Sequence, residues 1–127
     1  MRLDIRSRYR KIAGIMQINL SQPLHTLRGE VFMRPTIEIE QINGEPKLVP
    51  MTLGHLLCES LPQSLERTAS ETEKIKVVEL QRKMLKEGTQ DLAAEEIALM
   101  KKGVFKYVDA QFSHLAVEAS DLLEGKA

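Results

Sequence analysis

The residues best placed to do chemistry are Cys58 and His55. They lie three positions apart in Leu53-Gly54-His55-Leu56-Leu57-Cys58-Glu59, so on a helix they share a face. A catalytic thiolate needs a neighbouring base or cation to hold its charge. Glu59 is the one conceivable third member, and nothing else in the chain completes a nucleophile–base set. Cys58 sits in an apolar run and reads as a small buried hydrophobe. A single thiol can form neither an internal disulfide nor a cysteine-based zinc site.

Other titratable groups point the same way. Glu38 and Glu40 share one face of a predicted strand, but they alternate with isoleucines as the wet face of a half-buried sheet does. Glu95 and Glu96 suit the first turn of a helix. His25, His55 and His114 are too scattered to suggest a metal site by spacing. The glycines build no phosphate-binding loop, and no nucleophile elbow is present. The expectation is a protein that is not an enzyme, with no cofactor and no metal.

Charge separates the chain into two parts. Lysine plus arginine equals aspartate plus glutamate, 18 against 18. Yet Arg2, Arg6, Arg8, Arg10 and Lys11 face only Asp4 at the start, so a neutral body carries a basic leader. Such a leader could track phosphates, which makes a small nucleic-acid-binding regulator the alternative function. The lysines and arginines of residues 74–86 are interspersed with glutamates and read as a solvated helix face. Phe105, Tyr107 and Phe112 lie near Lys101, Lys102 and Lys106, but core packing claims such aromatics more often than nucleic acid does.

These residues must be held by some set of elements, and 127 residues are enough for one domain with its own core. Aromatics are few and Trp is absent, so Leu, Ile, Val, Met and Ala must fill it. Ile18-Asn19-Leu20 alternates weakly, as a strand would. Thr36 to Ile42 alternates far better, and Asn43-Gly44 then supplies a hairpin turn before the return strand Lys47-Leu48-Val49. The slip from Ile39 to Ile42 fits a bulge. Pro46 and Pro50 lack amide donors and keep the return strand short and at an edge.

Four helices are expected after the hairpin. Thr52 caps the first, over 53–61, and Pro62 stops it, leaving 63–69 as a polar loop. Ser70 and Glu73 have capping-box spacing for the second, which runs to Leu85 and ends at Gly88. That helix has two apolar stripes, Ile75/Val78/Leu85 and Val77/Leu80/Met84, more than one contact requires. The second stripe is the expected partner-binding surface. A third helix opens at Ala94, with Gly103 inside it at a possible close crossing. The fourth, over 110–124, carries Phe112, Leu115, Ala116, Ala119, Leu122 and Leu123. The fold class is therefore α+β: an N-terminal β-hairpin region (16–51), then a compact bundle of three to four helices (52–127). Residues 1–15 are a basic arm or an upstream extension. No run approaches the ~18 apolar residues of a membrane span, and no apolar stretch follows the basic start, so the expected location is cytoplasmic.

The order of segments resembles a group of small hypothetical proteins of tailed phages and prophages. The resemblance rests on Met16-Gln17-Ile18-Asn19-Leu20, the Asn-Gly hairpin, Met51-Thr52-Leu53-Gly54-His55-Leu56-Leu57 and Ala94-Glu95-Glu96-Ile97-Ala98-Leu99-Met100-Lys101. It covers roughly Met16 to Glu124. Where the group has Ser or Thr before the Glu-Glu pair, this chain has Ala93-Ala94. The resemblance carries over no catalytic residues. It implies an accessory or assembly factor, or a modulator of host machinery, acting by protein–protein interaction with a phage or host partner. The surplus apolar surface adds the expectation of a homo-oligomer through the second or fourth helix.

Overall fold

The computed structural model describes residues 15–39, 44 and 46–125, with the side chains of 37–39 excepted. Two small antiparallel sheets and four helices make an α+β fold. In chain order these are β1 (Ile15–Asn19), β2 (Met33–Ile39), β3 (Pro46–Pro50), α1 (Leu53–Ser60), α2 (Glu71–Met84), β4 (Thr89–Ala93), α3 (Ala94–Tyr107) and α4 (Ser113–Leu123). Short 3-10 turns at Leu61–Ser64 and Ala110–Phe112 follow α1 and precede α4.

The expected hairpin is present. β2 pairs antiparallel with β3, Met33 opposite Pro50 and Ile39 opposite Pro46. The register shifts between Pro35 and Ile39, earlier than the Ile39–Ile42 slip suggested. Pro35 cannot donate to a ladder, which makes the vicinity of that residue the natural place for the irregularity. Gly44 has φ +71°, the left-handed conformation an Asn-Gly turn needs. Residues 40–43, which include Glu40 and Ile42, lie outside the described residues.

The other sheet corrects the division at residue 51. β1 does not join the hairpin. It pairs with β4, from Ile15 opposite Ala93 to Asn19 opposite Thr89. The amide of Leu20 donates to Gly88 O at 2.9 Å and extends the ladder into the turn, where Gly88 has φ +82°. β4 was not legible, because Thr-Gln-Asp-Leu-Ala carries one large apolar residue and no alternation. It is a strand because β1 supplies its partner. Met16, Ile18 and Leu92 point inward from this sheet, and Ile18 and Leu92 are buried.

The core lies between this sheet and the helices. Leu20 and Leu24 contribute from the chain after β1, Leu53, Leu56 and Leu57 from α1, and Ile97, Met100 and Val104 from α3. Leu115, Ala116, Ala119 and Leu123 complete it from α4. Thr52 caps α1 through its hydroxyl, which accepts from the His55 amide at 3.2 Å. Pro62 does not end the ordered turn. It occupies the first turn of the 3-10 segment, where its missing amide costs nothing, and Leu61 and Ser64 are buried there.

Two glycines set the helix spacing. A Cβ on Gly103 of α3 would lie 2.6 Å from Ser60 O, and one on Gly54 of α1 would lie 2.5 Å from Met84 O. Both obstructing atoms are backbone. The close crossing expected at Gly103 is therefore real, and Gly54 makes a second between α1 and the end of α2.

Candidate interaction surface

α2 starts where its sequence dictates. The Ser70 hydroxyl accepts from the Glu73 amide, and the Glu73 carboxylate accepts from the Ser70 amide, each at 3.2 Å. Glu71 and Glu73 complement the N-terminal end of its dipole, and Arg82 and Lys83 the C-terminal end. Gln81 Nε2 donates to Cys58 O at 2.8 Å and ties the helix to α1.

Its two apolar stripes exchange their expected roles. Val77, Leu80 and Met84, read above as the partner-binding surface, are 3%, 7% and 2% exposed and belong to the core. They cannot meet a partner, because they already pack inside. The outward stripe is Ile75, 51% exposed, and Val78, 43% exposed, with Leu85 two turns further on at the helix end. A shallow groove of about 330 Å³ runs along it, lined by Glu71, Lys74, Ile75, Val78, Glu79 and Arg82. None of those four charged side chains has an ion-pair partner among the described residues. No decisive signal was available: on a helical wheel Glu71 and Arg82 fall in line with Ile75 and Val78, but Glu73 falls in line with Val77, Leu80 and Met84.

A second groove of about 480 Å³ lies between α2 and the start of α3, floored by Leu80 and Leu99. Its rim is occupied locally. Glu96 accepts from the Ala93 amide at 2.8 Å and stands 3.7 Å from Lys83 Nζ. Ala93 has no side-chain acceptor, so this reciprocal half of a capping box is all that closes the helix start. The fourth helix keeps most of its expected stripe inside: Leu115, Ala119 and Leu123 are buried and Leu122 is partly so, whereas Phe112, in the 3-10 turn before it, is 37% exposed. On α4 itself Val117, 50% exposed, is the large apolar residue that faces outward.

The Cys58–His55 pair does not assemble a nucleophile. His55 Nε2 pairs instead with Glu59 Oε1 at 2.9 Å, and Glu59 Oε2 accepts from the Tyr107 hydroxyl at 2.8 Å. Burial lowers the His55 pKa; Glu59 opposes that shift and the Arg34 guanidinium adds to it. Burial, with Glu59 beside it, raises the Cys58 pKa. The hydrogen bond to Glu59 raises the Tyr107 pKa. Each shift favours the neutral form, the opposite of a thiolate–imidazolium pair. Among the described residues no three histidine, cysteine or acidic side chains converge as a metal site.

The remaining candidates are accounted for locally. Lys101 pairs with Glu124, and Lys102 and Lys106 approach Glu66 at 2.9 and 3.8 Å. Phe112 packs edge-on against Phe32 at 5.7 Å, and His114 lies against both rings. The three lysines are thus paired, but the aromatics are not taken into the core as expected: Phe105 is 53% exposed, Tyr107 40% and Phe112 37%. His25 is held by Glu118, whose carboxylate accepts from its amide and contacts Nδ1, both at 2.7 Å. Arg2, Arg6, Arg8, Arg10 and Lys11 lie outside the described residues, as do Glu40 and the side chain of Glu38. No helix among the described residues is long and apolar enough to cross a membrane. No protein family, curated protein or solved structure was found to match the chain.

Proposed function

We propose that this chain is a non-enzymatic accessory protein of phage type, acting by docking the outward face of α2 on another protein. The observation that carries the reading is Ile75 and Val78, one turn apart and half exposed on a helix whose other face is fully used by the core. Covering them removes apolar surface worth about 1 kcal/mol each, taking half of the value of a fully buried aliphatic side chain. The four charges around them, unpaired among the described residues, supply specificity more than affinity. The pairing of Glu59 with both His55 and Tyr107, and the raised Cys58 pKa, support a role without catalysis.

The test is a comparison of two surface variants. Ile75→Glu/Val78→Glu should keep the far-UV circular dichroism and melting temperature of the wild type and lose the complexes it forms in extracts of its host. Phe105→Glu/Val117→Glu, on exposed sites of α3 and α4, should keep them. Retention of every complex by a folded Ile75/Val78 variant would remove this face from the function.

A further inference from the structure

The outward face of α2 carries its charges in an order that selects one partner. Glu71, Ile75, Val78 and Arg82 follow one another along the stripe at spacings of four, three and four residues. That is the seam of a coiled-coil contact, with an acid at the N-terminal end, a base at the C-terminal end and two aliphatic residues between. Such a stripe is complementary to itself when reversed.

We propose that the partner on this face is a second copy of the chain, with the two α2 helices packed antiparallel about a two-fold axis. The proposal rests on the reading of this face as a docking surface and names its occupant. In this arrangement Glu71 meets the partner's Arg82, Ile75 meets the partner's Val78, and the axis repeats both contacts in reverse. The apolar layers sit at the centre and an ion pair closes each end. On one flank Lys74 comes beside the partner's Gln81, and on the other Glu79 comes beside the partner's Thr72, so like charges do not meet. A parallel pairing would set Glu71 on the partner's Glu71 and Arg82 on the partner's Arg82, which charge repulsion disfavours. Neither Glu71 nor Arg82 has a partner within its own chain among the described residues, so forming these pairs breaks no internal bond. A contact one helix long falls at the small end of specific interfaces, and the dimer is accordingly a weak, concentration-dependent one.

Charge exchange in the full chain tests the register. Sedimentation equilibrium of the wild type, run from micromolar to millimolar protein, should show the mass rising from the 14.4 kDa monomer towards twice that value. Glu71→Arg and Arg82→Glu should each weaken self-association by about tenfold or more, because two attractive pairs become two repulsive ones. An equimolar mixture should form a one-to-one heterodimer, since one chain then has only bases at the ends of its stripe and the other only acids. Glu71→Arg/Arg82→Glu in one chain should recover the homodimer. Circular dichroism checks that each variant folds. A wild type that stays monomeric throughout overturns the second copy as occupant, as does a mixture no more associated than its components. If the monomeric wild type still loses other complexes on Ile75→Glu/Val78→Glu, the docking face stands and its partner is a different protein.

Discussion

Replacing Gly103 by alanine sets two physical effects of opposite sign against each other. Position 103 is interior to α3, where alanine is favoured over glycine by about 1 kcal/mol on helix propensity alone. The added methyl would, however, be placed 2.6 Å from Ser60 O and 3.2 Å from the Ser60 carbonyl carbon. Neither atom belongs to a side chain that could rotate away. α3 must therefore move off the junction of α1 and the 3-10 turn by several tenths of an ångström. That loosens the packing of Met100 and Val104, both buried along the same helix. Overpacking of this kind costs about 1–3 kcal/mol, and rigid backbone on the receiving side puts Gly103 at the upper end. Subtracting the propensity gain leaves a net loss of about 2 kcal/mol. For a chain of this length that is a fall in melting temperature of roughly 6–10 °C. The assay is thermal unfolding followed by circular dichroism, with urea unfolding as a second measure. Ala98→Gly, at an exposed position of the same helix, calibrates the propensity effect and should cost about 1 kcal/mol. A Gly103→Ala variant that melts at or above the wild-type temperature would refute the close crossing and the reasoning built on it.

Three further outcomes follow from the same structure. Truncating the inner stripe of α2 by Leu80→Ala or Met84→Ala should cost about 2–5 kcal/mol, whereas Ile75→Ala and Val78→Ala should stay within about 1 kcal/mol; urea midpoints that rank the two pairs in the opposite order would reverse the assignment of inner and outer face. The thiol of Cys58 should react with a disulfide reagent far more slowly than free cysteine at pH 7.5 and reach the normal rate only in denaturant, since its raised pKa leaves little thiolate and its site is partly closed; fast labelling of the native chain would contradict both. Because the folded pKa of His55 lies below its unfolded value of 6.5, the unfolded chain binds the extra proton, so the stability attached to this group is present above pH 6.5 and is lost as pH falls through the folded pKa. His55→Gln should accordingly flatten the acid side of the melting-temperature profile between pH 7.5 and 5, and an unchanged slope would show that other groups govern it.

Local rules determined a large part of this fold. The capping box at Ser70 and Glu73, the Thr52 cap, the hairpin through Gly44 and the close crossing at Gly103 are each decided by neighbours in sequence or by one side chain's size. What sequence could not decide was choice among equivalent partners. β1 had two strands to pair with, and it took Thr89–Ala93, whose own letters carry no strand pattern, over the hairpin, whose letters do. Gln90 and Asp91 extend there only because the β1 backbone satisfies their ladder groups. α2 had two stripes of three apolar residues each, and periodicity gives both the same weight. Only the packing of α1 and the 3-10 turn at Leu61–Ser64 against the helix selected Val77, Leu80 and Met84 for the core. That selection left Ile75 and Val78 outside, between two charges that have no partner among the described residues. The hydrophobic effect fixes how much of a helix must be buried, but it is non-directional. Which face goes in is a property of the neighbours, and those are assembled only in three dimensions.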